Sequence, residues 1–165
     1  MHPRPFIRPI NPKDKTEIRD VVQKMRATLV EVMGTKQGEE YYSDEWLEHR
    51  VYFHLNLKES ACIFLADIHD KTIGQAIVRI EKEDEKAYGF FSTLYVCPEY
   101  RRRGIAKCLI ESVLKWCEAH SLSRVIYNTA ADHHSVIHLF KSFDFKEILW
   151  STNQMVQLER SSIEI

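Results

Sequence analysis

The apolar positions of this chain change period several times along its length. Ile18, Val21, Val22, Met25, Leu29, Val32 and Met33 recur at three and four residues, which predicts a helix from about Asp14 to Met33. Asn11-Pro12-Lys13-Asp14 supplies the start signal, and a short strand, Phe6 to Ile10, precedes it. Gly34 to Gly38 reads as a break. Ser43-Asp44-Glu45-Trp46 then opens a second helix, with Leu47, Val51, His54 and Leu55 at helical spacing.

From Cys62 the pattern turns to strands. Cys62 to Ile68, Ile73 to Ile80 and Tyr88 to Val96 are joined by the turn His69-Asp70-Lys71 and the charged tip Glu81 to Lys86. Three strands on short connections predict an antiparallel meander. Ile105, Leu109, Val113 and Trp116 then share a helix face over about Arg103 to His120. A strand at Val125 to Tyr127 and a helix from an acidic cap at Asp132 to Ser142 come next. Strands at Phe145 to Trp150 and Gln154 to Leu158 complete the order. Strands alternating with helices after a meander predict a mixed α/β sheet in one domain over residues 1–165.

Composition narrows the function classes. The 165 residues carry 23 Lys and Arg against 24 Asp and Glu, a formal charge of −1, which disfavours a nucleic-acid partner. The four cysteines form no C-x-x-C pair and sit in apolar patterns, as buried free thiols of a reducing compartment do. Met1 to Pro12 is polar and proline-containing, and no apolar run is long enough for a membrane span, so the expected location is cytoplasmic. His134 and His138 share a helix face with Asp132 nearby, but a two-His pair without a third strong ligand predicts no metal site.

The basic character is local. Tyr95-Val96-Cys97-Pro98-Glu99-Tyr100-Arg101-Arg102-Arg103-Gly104-Ile105-Ala106-Lys107 reads as a strand, a tight turn and a glycine-containing helix entry. A helix start presents N–H groups without partners and partial positive charge, a setting for a pyrophosphate.

The order Arg101-x-x-Gly104-x-Ala106, preceded by Leu94-Tyr95-Val96-x-Pro98, resembles the acetyl-CoA loop of the GNAT superfamily of N-acetyltransferases. The element order resembles that family's fold too, most specifically over a cofactor-binding core at residues 88–145. The resemblance implies a mixed, mostly antiparallel sheet of six to seven strands flanked by four helices. It implies that the backbone of Arg101, Arg102, Arg103, Gly104, Ile105, Ala106 and Lys107 binds the CoA pyrophosphate. Leu94, Tyr95 and Val96 would pair with pantetheine as an added strand does. A gap between this strand and Val125 to Tyr127 would take the thioester, which an amine attacks directly.

Family members commonly place an Asn, and seven residues later a Tyr, on the helix before a Gly-Phe pair. Here His133 stands at the first position, Phe140 at the second and Asp144 at the glycine. Phe140 has no proton to give to the leaving thiolate. Tyr127, His133, Ser135 or His138 are the substitutes, or solvent itself. Glu39, Glu40, Tyr41 and Tyr42 fall where this fold places acceptor-binding groups, with Glu40 the candidate base and His54 and Tyr88 the other candidates. The implied activity is acetyl transfer from acetyl-CoA to a primary amine of a small molecule such as an aminoglycoside or polyamine, or of a peptide or protein. A homodimer is common in the family. A non-catalytic acyl-CoA-binding or sensing module is the alternative, on the strength of Phe140.

Overall fold

The computed structural model describes residues 2–150 and 154–162, the side chains of Leu149 and Trp150 excepted. Its strands are β1 (Phe6–Pro9), β2 (Ala61–Ile68), β3 (Lys71–Glu83), β4 (Lys86–Val96), β5 (Arg124–Ala130), β6 (Lys146–Trp150) and β7 (Met155–Ser161). They form one sheet in the order β1-β2-β3-β4-β5-β7-β6. Every neighbouring pair is antiparallel except β4 and β5. The helices are α1 (Lys15–Met33), α2 (Thr35–Glu40), α3 (Asp44–Asn56), α4 (Ile105–Ala119) and α5 (His134–Lys141). The mixed sheet and the meander are as expected, with a fifth, short helix added. None of the helices among the described residues is long and apolar enough to cross a membrane.

Alternation along the strands sorts the core into two faces. Ile63, Leu65 and Ile77 meet Ile18, Val21, Leu47 and Val51 of α1 and α3. Ala66, Ile68, Ala76, Val78 and Phe91 meet Leu109, Ile110 and Val113 of α4 and Phe140 of α5. Capping fixes the helix starts: the Asp14 carboxylate accepts from the Thr16 and Glu17 amides, and the Ser43 hydroxyl from the Trp46 amide. The cap of α5 differs from expectation. Its N-cap is His133, with no side-chain cap bond, and Asp132 lies outside the helix. Three of the cysteines, Cys62, Cys97 and Cys108, are half-buried; Cys117 alone is buried, and all four are free thiols. Burial pushes the Cys62 thiol up to about 11 and the Cys117 thiol up to about 12, so neither is a nucleophile near neutral pH.

The expected break at 34–38 is a single residue, Gly34, followed at once by α2. Gly38 is a contact rather than a hinge. A Cβ there would stand 2.4 Å from the Val30 Cα, so α2 can lie against α1 only if residue 38 has no side chain. Arg26 of α1 locks this arrangement: its Nη1 donates to the Gly38 and Glu39 carbonyls at 2.9 and 3.1 Å, and its Nη2 pairs with Asp44 at 2.7 Å. A cation at the C-terminus of a helix complements the helix dipole. One arginine thus ties α1, the end of α2 and the start of α3 together. Replacing Gly38 with Ala is expected to destabilise the fold by about 1–3 kcal/mol through overpacking against main chain, read from urea unfolding midpoints.

Candidate functional site

The site begins where two strands stop pairing. β4 and β5 are in register only at Gly89–Val125, Phe90–Ile126 and Phe91–Tyr127. Beyond Phe91 the two strands separate. The register between β3 and β4 shifts between Ile77–Thr93 and Val78–Phe91, so Ser92 is an extra residue in β4 at that point. A bulge of this kind bends the strand and raises its twist. β5 meanwhile runs on through Asn128, Thr129 and Ala130, held on its far side by Gln157, Val156 and Met155 of β7. The gap therefore lies beside Asn128 to Ala130, beyond the Val125 to Tyr127 segment that the sequence suggested.

Four aromatic rings close the apex. Tyr127 stacks on Phe140 with centroids 4.1 Å apart and planes 14° from parallel, and Phe91 meets both edge-on at 5.1 and 5.5 Å. Phe145 abuts Phe140 at 5.1 Å. Phe140 is wholly enclosed, so its ring does packing work. Tyr127 is 7% exposed and lines the gap; burial raises its phenol well above the usual tyrosine range, so it stays protonated at any physiological pH.

β4 leads from the gap into the basic loop. The Cys97 amide still pairs with the Ile73 carbonyl, and a single 3-10 turn, Pro98–Tyr100, follows. Gly104 is the N-cap of α4 at φ 82°, a left-handed conformation in which an L side chain is strained. The first helical bond of α4 runs from the Cys108 amide to the Gly104 carbonyl at 3.2 Å, so the amides of Ile105, Ala106 and Lys107 point out of the helix start without a helical partner. The three arginines divide. Arg101 turns inward: its Nε donates to the Val96 carbonyl at 2.8 Å and its Nη2 pairs with Glu31 of α1. Arg103 donates to the Glu99 carbonyl and lies over the Tyr100 ring. Arg102 and Lys107 are exposed and make no hydrogen bond or ion pair among the described residues.

On the α1–α3 side the gap opens into a cavity of about 760 Å³. Its walls are Met25, Thr28, Leu29, Val32 and Met33 of α1, with Gln37, Tyr41 and Tyr42 around the end of α2. Trp46, Arg50 and His54 of α3 face Arg79 of β3, Phe90, Ser92 and Thr93 of β4, and Tyr127, Asn128 and Thr129 of β5; Met155 closes the rim. The Thr93 hydroxyl is buried with no hydrogen-bond partner among the described residues. Glu39, Glu40 and Tyr88 are not in this wall, and Glu40 is exposed at the end of α2. His133 lines a separate, smaller opening with Glu31, Arg101, Asp132 and His134. Among the described residues no group of three or more His, Cys, Asp or Glu side chains is placed to hold a metal ion.

Arg79 and His54 form the polar corner, which the sequence did not reveal because the two residues lie on different elements. Arginine can only donate, so the 3.1 Å contact from Arg79 Nη1 makes His54 Nε2 an acceptor. His54 Nδ1 therefore carries the proton and donates it to the Arg50 carbonyl at 2.8 Å. Burial, reinforced by the neighbouring arginines, lowers the His54 pKa to about 4.

The sequence profile of the acetyltransferase (GNAT) family matches residues 28–145, more than two thirds of the chain. This chain belongs to that family. Human N-acetyltransferase 8 is 31% identical over 94 residues, which is 54% of this chain; the chain spans only 40% of that protein's length. The NatC complex bound to Gag peptide and CoA superposes with a TM-score of 0.78 at 16% identity, over 96% of this chain and 99% of that one. PaiA N-acetyltransferase from Thermoplasma acidophilum, in complex with coenzyme A, gives 0.75 at 14% identity, over 95% and 98%. At these identities the likeness is one of fold; both neighbours are described as complexes that contain CoA.

The His54 shift sets a pH dependence. The unfolded histidine titrates near pH ~6.5, so between there and about 4 the unfolded chain binds a proton that the folded chain refuses. Stability from this residue is full above that range and falls as the pH drops through it, by at most about 1.4 kcal/mol per pH unit. Urea unfolding of the wild type and of His54→Gln at pH 7, 6, 5 and 4 reads this directly. The variant is expected to lose less stability than the wild type as the pH falls.

Proposed function

We propose that this chain transfers the acetyl group of acetyl-CoA to a primary amine. The observation that carries the reading is the unpaired β4 backbone, which runs from the Phe91–Tyr127 apex toward the open amides of α4. Unpaired backbone groups and a buried orphan hydroxyl at Thr93 suit a ligand that brings its own amides and carbonyl. Pantetheine pairs with β4 across Ser92 to Tyr95, short of the Val96 carbonyl that Arg101 already occupies. The pyrophosphate sits on the amides of Ile105, Ala106 and Lys107, and the Arg102 and Lys107 side chains add charge-assisted contacts. His133 flanks the pantetheine from α5.

The amine nitrogen attacks the thioester carbonyl carbon, the C–S bond breaks, and the sulfur leaves as CoA thiolate. A β4 amide in the run after the bulge holds the carbonyl oxygen as negative charge develops on it. Tyr127, which lines the gap and is protonated at rest, gives the thiolate its proton in place of the family's helix tyrosine and regains one from the water that takes the amine's proton. Among the described residues no Asp or Glu side chain lines the cavity, and His54 Nε2 is engaged by Arg79, so the amine leaves its proton to water.

Acetyl-CoA titration with thiol release across an amine panel tests the reading. Binding, with thiol released only when an amine is present, is expected; binding without release over a broad panel would mark a sensor instead. Gly104→Val forces a side chain into a positive-φ position, a strain of about 1–3 kcal/mol, and is expected to weaken acetyl-CoA binding about tenfold or more. Tyr127→Phe is expected to lower kcat by about 100-fold while the acetyl-CoA dissociation constant stays within about twofold. An unchanged kcat would assign thiolate protonation to solvent.

A further inference from the structure

The cavity is cationic. Among the described residues, Arg50 and Arg79 are its charged side chains, and no Asp or Glu is in its wall. The Arg50 guanidinium is half-buried over Phe53, 4.3 Å from the ring centroid, and makes no hydrogen bond or ion pair among the described residues. Arg79 is partly satisfied. Its Nε pairs with Glu81 at 2.6 Å and its Nη1 with His54, while Nη2 makes no hydrogen bond among the described residues. Burial and the nearby Arg79 disfavour the charge on Arg50, and Glu81 only partly offsets them. Half-buried guanidiniums are ordinarily paired. Here two share one carboxylate, and His54, pinned as an acceptor, adds no charge.

The rest of the wall is apolar and aromatic. Tyr42 stacks on Trp46 at 4.3 Å, and Met25 and Leu29 face them from α1. Distance adds a limit. Arg79 stands opposite Phe90 in the register, two residues before Ser92, or about 7 Å along the strand from the start of the unpaired run. Anion, apolar body and reacting amine must therefore fit one small molecule.

We propose that the acceptor is a free α-amino acid with an apolar side chain, its carboxylate held by Arg50 and Arg79 and its side chain seated between Trp46 and α1. This rests on the acetyl-transfer reading above. The α-amine attacks the thioester carbon, an N–C bond forms as the C–S bond breaks, the thiolate takes a proton, and an N-acetylamino acid leaves. The arginine pair also rejects the cationic polyamines and aminoglycosides that an acidic loop would have favoured. A planar guanidinium fork matches a carboxylate in a way that neither an amide nor a bare amine can reproduce.

The product offers a readout that needs no turnover. Calorimetry on the full chain compares N-acetyl-L-phenylalanine with N-acetyl-L-phenylalaninamide, with and without CoA. The acid is expected to bind at least about tenfold more tightly, as one charge-assisted pair would give. Arg50→Gln is expected to erase that preference. Arg50→Lys keeps the charge without the fork and is expected to retain part of it, which also covers the case in which the Gln variant fails to fold. Thiol release from acetyl-CoA should then favour L-phenylalanine over L-phenylalaninamide, phenethylamine, spermidine and a peptide N-terminus. Equal binding of acid and amide, or faster turnover of the peptide or polyamine, overturns the inference while leaving acetyl transfer intact. Failure of acetyl-CoA to bind, or of any amine to release thiol, overturns the acetyl-transfer reading, and the inference falls with it.

Discussion

The parting of β4 from β5 is the constraint on which the site depends. A parallel pair that stops after three residues leaves backbone amides and carbonyls facing a gap. Such groups are costly to bury unpaired, so the gap is stable only as a place that water or a ligand fills. The apex holds because Phe91, Tyr127, Phe140 and Phe145 pack ring on ring, and the bulge at Ser92 turns β4 away just beyond it. β5 does not follow, because β7 holds it along its whole length. The site is thus set by which strands retain partners and which lose them.

The same apex explains the phenylalanine where the family commonly has tyrosine. Phe140 is enclosed by three other rings and contributes to holding the strands at their junction. The tyrosine that lines the gap is instead Tyr127, one ring away on β5. A phenol raised by burial is a reluctant acid, yet it remains a hydrogen-bond donor throughout the physiological range. Around it the charges are sorted by position. Among the described residues, Arg102 and Lys107 at the start of α4 and Arg50 in the cavity make no hydrogen bond or ion pair, while Arg101 joins the end of β4 to Glu31 of α1.

The basic turn and helix entry were legible in the sequence because their parts are adjacent in the chain. A strand, Pro98, a basic turn, Gly104 and an apolar-periodic helix follow one another within about twenty residues. Gly104 did prove to need a positive φ. Gly38 was misread as part of a break, since a glycine required by close helix contact looks in sequence like one required by a turn. Glu40 was a fair candidate by its place between helices, but α2 ends with that side chain turned to solvent and Gln37 in the cavity wall. Arg26, Arg50 and Arg79 carried no signal, because isolated arginines at amphipathic positions read as solvated faces.

What the sequence determined by itself was therefore local: the order of strands and helices apart from α2, the starts of α1 and α3, and the loop whose backbone geometry suits a pyrophosphate. These follow from periodicity and turn chemistry, which act over a few residues. Tertiary structure alone decided where β4 leaves β5, that Phe140 packs while Tyr127 faces the gap, and that Arg50, His54 and Arg79 converge on one cavity. Those outcomes depend on strand register and on contacts between different elements, such as that of Arg79 with His54, 25 positions apart. No spacing along a single element can encode such a meeting; it exists only once the sheet has brought α3 and β3 together.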